Sequence, residues 1–334
     1  MTPQEPAVEA LRLFGYVERQ ASFLCAVAVH GGYFLGRQYD DYSGSVRGGP
    51  RQRLIDQLTA NGHVSVLASR DQTAVFHLSA KPLYAAIGVP DNRNRRSHPP
   101  FAVRRKLMIL DFVLSHPEAQ FFASEQERVS LFTETLGLPE GVLPVKYYAS
   151  RKSHNRTARY FVDRNPVYLS AAPPGAAPAV SFAYIDGGDE TTAGFKSYLA
   201  EYRRLFLALD TFRLVYVANR NKHLLAAARE FQKLASGGTD VERLLQHFDA
   251  RQRHECGSYS GFTTEGIERL RRELREFSGP RYDALFGVFR RDGRAGLFAR
   301  LGQSDRRTGS GFGGVFESCL LPHSYDFMGP AWAK

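Results

Sequence analysis

The sequence predicts a mixed α/β protein in two parts: a helical N-terminal domain closed by a β-hairpin, and a larger domain in which strands and helices alternate. Three observations carry that expectation. Apolar residues recur at helical spacing in "RQASFLCAVAVH" (19–30) and again at Leu54, Ile55 and Leu58. "VSVLASRDQTAVFHL" (64–78) alternates on either side of a polar turn, as a hairpin does. "VSFAYID" (180–186) and "FRLVYVAN" (212–219) are apolar runs of strand length, each followed by an amphipathic helical pattern. The intervening "GVPDNRNRRSHPP" (88–100) reads as a linker, dividing the chain into 1–90, a linker with its following helix over 91–118, and 119–334.

At 334 residues the chain exceeds the usual size of one compact domain, and its 43% hydrophobic content supplies a core for two. The net charge of +10 makes a polyanion the expected partner, because neutralising phosphates releases counterions. Three distant cysteines, Cys25, Cys256 and Cys319, argue against a disulfide framework or a cysteine zinc site and suit a reducing compartment. Glu5, Glu9 and Glu18 interrupt the first twenty residues and no run of 18 apolar residues occurs, so a cytoplasmic, nucleoid-associated protein with no membrane partner is expected.

Element by element, the helix over 19–30 stops at Gly31-Gly32. "YFLGRQYDDYSG" (33–44) follows as a short strand or turn leading into a second helix. A third helix begins with Pro50 in its first turn and stops at Asn61-Gly62, and the hairpin comes next. Three helices and a hairpin in this order make a winged helix-turn-helix, whose third helix enters the major groove. Arg47, Arg51, Gln52 and Arg53 then open the recognition helix, where Arg pairs with guanine and Gln with adenine. Arg70 takes the wing tip, and Arg93, Arg95 and Arg96 form a backbone clamp in the linker. The helix over 101–115 carries a wide apolar face, either bridging the domains or forming a dimer seam.

In the second domain, Ser124 and Glu127 form a capping box. "LPVKYYASRKSHNRTARYFVDRNPVYLS" (143–170) interleaves basic and aromatic residues. The aromatics read as strand core, and the loop with Arg151, Lys152 and Arg156 as a nucleic-acid contact. "RYFVDRNPVYLS" and "VSFAYID" read as two strands joined by the Pro/Ala/Gly loop 170–180. The strand and helix order matches the core of restriction-endonuclease-like domains. His247 and His254, seven residues apart, lack a metal-binding partner at suitable spacing and read as ordinary histidines.

The N-terminal order, together with the strand, acidic Gly-rich turn and "FKSYLAEY" helix over 180–202, resembles the replication-relaxation proteins of plasmids and integrative conjugative elements. That resemblance implies a winged helix joined to a PD-(D/E)xK nuclease-like domain. It puts Asp163 at the first acid and Asp186 at the end of the next strand, where such sites hold Mg2+ beside a lysine. The sequence departs from the motif, with Gly188 where the lysine is expected and Tyr184 where an earlier acid would stand, leaving Lys196 as a substitute from the next helix. The expected protein is therefore a sequence-specific regulator of a mobile element that binds double-stranded DNA as a homodimer and needs no cofactor, its nuclease-like domain being inactive. A divalent-metal nuclease, or an accessory factor recruiting a relaxase or replication protein, is the alternative.

Overall fold

The computed structural model describes residues 5–44, 49–67, 73–149, 156–170, 179–188, 191–235, 241–257, 280–306, 313–325 and 327, with 263, 266, 268, 270, 273–274 and 277. The chain forms two compact units, residues 1–227 with 315–334, and residues 228–314. No helix among the described residues is long and apolar enough to cross a membrane.

The first unit opens with α1 (Glu5–Arg12), α2 (Glu18–His30), β1 (Tyr33–Leu35), α3 (Gly36–Ser43), α4 (Gly49–Ala60), β2 (Val64–Leu67), β3 (Val75–Leu78) and α5 (Lys81–Ala86). The three strands make an antiparallel sheet in the order β1-β3-β2, with Phe76 facing both Phe34 and Val66. Phe23, Leu24 and Val27 of α2 pack with Phe34, Leu54, Leu58 and Leu83 into one core. The chain leaves α2 through Gly32, at φ +78°, where a Cβ would stand 2.4 Å from the Asn94 carbonyl oxygen. Only glycine satisfies both the left-handed backbone and that approach.

Next come α6 (Pro100–Leu114), β4 (Gln120–Phe122), α7 (Glu125–Ser130), β5 (Val145–Ala149), β6 (Arg156–Tyr160), β7 (Val167–Leu169), β8 (Val180–Ile185), α8 (Ala193–Ala208), β9 (Phe212–Ala218), α9 (Leu224–Ala235) and, after the second unit, β10 (Gly314–Leu320). Ser124 and Glu127 form the expected capping box on α7. Five strands lie in the order β10-β9-β8-β7-β4. The pairs β4–β7 and β7–β8 are antiparallel, and β8–β9 is parallel. Strand alternation sorts the two faces. Ala183, Ile185, Val215 and Val217 pack with Val103 and Leu107 of α6, while Phe182, Tyr184 and Tyr216 meet Phe195, Tyr202 and Phe206 of α8.

Two expectations change. The single strand expected through "RYFVDRNPVYLS" is two: β6 pairs with β5 in a separate ribbon, and β7 joins the five-stranded sheet. Left-handed backbone at Phe161 (φ 49°) and Arg164 (φ 59°), followed by Pro166, breaks it. The expected linker and its helix lie inside the first unit, whose boundary falls after Ala227 rather than near residue 90. Val103, Leu107, Leu110 and Val113 of α6 are fully buried within the chain, so this face bridges the two sheets and is not a dimer seam. Asp111 on the same helix accepts both terminal nitrogens of Arg37 from α3, at 2.8 and 2.7 Å, and a hydrogen bond from the Tyr325 hydroxyl.

The second unit holds α10 (Val241–Glu255) and α11 (Pro280–Arg306), the latter broken at Gly293 with φ +64°. Leu244, Leu245, Phe248, Phe286, Phe289 and Leu297 form its core. His247 is buried 3.6 Å from Glu273, whereas His254 is exposed.

Candidate functional site

The residues expected to read DNA divide by their present partners. Gln52 and Arg53 stand exposed in the first turns of α4. Gln52 donates to Asp56 at 2.7 Å, and the Arg53 Nε donates to the Gly49 carbonyl at 3.2 Å. Arg51 is engaged differently: its Nη1 lies 2.7 Å from the Asp40 carboxylate on α3, fastening the two helices. Arg47, Arg70, Arg151 and Lys152 lie outside the described residues, as does the side chain of Arg156, the first residue of β6. In the 91–96 segment Arg93 and Arg96 are exposed, but Arg95 donates to the carbonyls of Pro90 (2.7 Å) and Ser79 (3.3 Å) and so fixes the segment.

The acids expected for a nuclease have structural partners. Asp186 is buried at the end of β8, its Oδ1 accepting from the Gly188 amide (3.0 Å) and its Oδ2 from the Tyr216 hydroxyl (2.8 Å). This is an aspartate turn that closes the strand. Gly188, at φ +88° and with Arg104 against it, occupies a position that strains any side chain, which explains why no lysine stands there. Asp163 caps the turn after β6 by accepting from the Asn165 amide at 2.7 Å. Asn165 in turn accepts from the Ile185 amide (3.2 Å) and from Arg105 (2.6 Å), drawing the Asp163 turn to the end of β8. Lys196 is exposed in the first turn of α8. Among the described residues no three His, Cys, Asp or Glu side chains converge as a metal site, and Asp189 and Glu190 lie outside those residues.

A third arrangement went unforeseen in the sequence. A cavity of about 760 Å³ opens between α6, the 91–94 segment, β4 with the start of α7, and the turn after β6. Six cations line it, Arg93, Arg105, Lys106, Arg128, Arg159 and Arg164, against three acids, Asp91, Glu125 and Asp163. Asn94, 3% exposed, organises its centre. Its amide nitrogen donates to the Ala28 and Val29 carbonyls, while its Oδ1 accepts from Lys106 (2.7 Å) and Arg164 (3.2 Å). No family model, curated protein or solved structure matches the chain.

Electrostatics sharpen the cavity. Removal from water, and then the neighbouring Arg164, push the Lys106 ammonium from its ordinary 10.5 to about 7. His30 falls to about 3, from burial first and then the Arg128 charge. His98 falls to about 4, from burial and then Lys106, and burial also lowers His77. These imidazoles are thus neutral above pH 7, which leaves Lys106, with the permanently charged Arg164 beside it, as the titrating group here.

Between pH 7 and 9 the folded lysine binds fewer protons than the unfolded one, so stability rises with pH, by about 1–3 kcal/mol over that window. Urea midpoints for the wild type should climb from pH 7 to pH 9, whereas Lys106→Met should flatten that rise and be the more stable protein at pH 6. An unchanged slope in the variant would assign the rise to another group.

Proposed function

We propose that residues 18–78 act as a winged helix-turn-helix that binds double-stranded DNA, with α4 as the reading helix, in a sequence-specific regulator whose five-stranded domain is a nuclease-shaped scaffold without catalysis. One observation supports this most: the order α2-β1-α3-α4-β2-β3, with β1 paired to β3, leaves the N-terminal turn of α4 presenting Gln52 and Arg53 to solvent. A mobile-element origin is part of the proposal through the likeness of the domain order. The engagement of both Asp186 oxygens and the glycine at 188 favour the non-catalytic form.

Arg53→Ala is the cleaner test, since Arg51→Ala also removes the bond to Asp40. A site selected from random duplexes should be bound about tenfold or more weakly by Arg53→Ala, the loss of one base-reading arginine, with the melting temperature kept. Competition by unrelated duplexes should change far less. Equal affinity of the wild-type protein for every duplex sinks the proposal.

A further inference from the structure

We propose that the cationic cavity of the first unit binds a free nucleotide, with Arg164, Lys106 and Arg128 holding its phosphates and an aromatic side chain of the wall, Phe101 or Tyr148, stacking on its base. The site is independent of the DNA-binding reading.

Uncompensated charge is the first support. Arg128 is 4% exposed, yet among the described residues the one hydrogen bond of its side chain runs from Nε to the Phe122 carbonyl at 2.8 Å, and its guanidinium lies 6.0 Å from the Phe161 ring. Lys106 donates to two neutral oxygens, Gly31 O and Asn94 Oδ1. Among the described residues, neither forms a bridge to a carboxylate. A buried cation without an anion costs several kcal/mol. None of the three acids of the wall lies in an ion pair with either cation among the described residues: Glu125 is taken by Arg159 (2.8 Å) and the Tyr160 amide (2.7 Å), Asp163 accepts from the Asn165 amide through Oδ1, and Asp91 is exposed. A bound anion would supply the matching negative charge.

Backbone strain falls in the same place. Among the described residues only Phe161 and Arg164 combine a side chain with positive φ, and both stand in the turn that borders the cavity. Such conformations cost about 1–3 kcal/mol each and persist where the surroundings demand them. Here the strain holds the Arg164 guanidinium against Asn94, next to Lys106.

Size and apolar surface narrow the anion. A cavity of about 760 Å³ is of small-molecule scale and much exceeds what one phosphate fills. Phe101 is 75% and Tyr148 49% exposed on its wall, large rings left in water where a base would stack. A duplex backbone is the poorer occupant, because Arg128 is buried inside a concave wall.

The test is calorimetric titration of the full chain at low salt with ADP, inorganic phosphate, adenosine and a short single-stranded oligonucleotide. ADP should bind more tightly than phosphate, and adenosine should give no measurable heat. Arg164→Gln, an exposed position that does not threaten folding, and Lys106→Met should each weaken ADP by about tenfold or more. Arg12→Gln, on α1, should change nothing. No heat with ADP, affinity equal for ADP and phosphate, equal loss in all three variants, or binding of the oligonucleotide alone would each overturn the proposal.

Discussion

Asp111→Ala is expected to lower the unfolding free energy by about 3–5 kcal/mol, the usual cost of removing one partner of a buried ion pair. The Asp111 side chain is 9% exposed and accepts from Arg37 twice and from Tyr325. Burial alone would lower the Arg37 pKa, but the hydrogen bonds and charge of Asp111 outweigh it and raise the group overall. Without the carboxylate, a guanidinium 26% exposed and a fully buried tyrosine hydroxyl are left with poor solvation. Urea unfolding followed by circular dichroism measures the loss. Arg37→Leu combined with Asp111→Leu should recover much of it, since no charge is then stranded. A loss under about 1 kcal/mol in Asp111→Ala would show the pair to be solvated in solution.

Phe182→Ala is expected to cost about 3–5 kcal/mol by opening a cavity at the centre of the aromatic face. Phe182 is fully buried on β8. Its ring stacks 5.9 Å from Phe132 and sets its edge to Tyr202, Phe206 and Phe212 at 5.0–6.0 Å. Phe182→Leu, which keeps most of the volume, should cost about 1–2 kcal/mol. Denaturant midpoints with an unchanged slope would confirm both figures as losses of native packing. Equal costs for the two substitutions would mean that ring geometry, rather than volume, governs the face.

Periodicity carried much of the fold. The hairpin over 64–78 announces itself by alternation about a polar turn, and the strands at 180–185 and 212–218 by unbroken apolar runs of strand length, because both of their faces are buried. The packing of the 88–100 segment is hidden in the sequence for a physical reason. Proline, asparagine and arginine are turn formers wherever they occur, and nothing local shows that Asn94 reaches back to the Ala28 and Val29 carbonyls. Arg51 poses the same problem, because its bond to Asp40 spans eleven residues and follows no helical or strand spacing. The aspartate turn at 186–188 is legible as an Asp-Gly-Gly signal, and the same acid is the residue type that a metal site would use. The cationic cavity was only partly legible: Arg159 and Arg164 lie in the basic and aromatic stretch 143–170 and Arg93 in the 91–96 segment, but nothing local brings Arg105, Lys106 and Arg128 to them.

The last strand of the sheet has a bearing on how the chain is made. β10 covers β9, yet residues 219–313 lie between them in sequence, and they include all but the last residue of the second unit. On the ribosome β9 therefore emerges with one edge open and waits for its neighbour until all the intervening residues have been made. Such a non-local pairing slows folding, and the unpaired edge invites another chain to add to it.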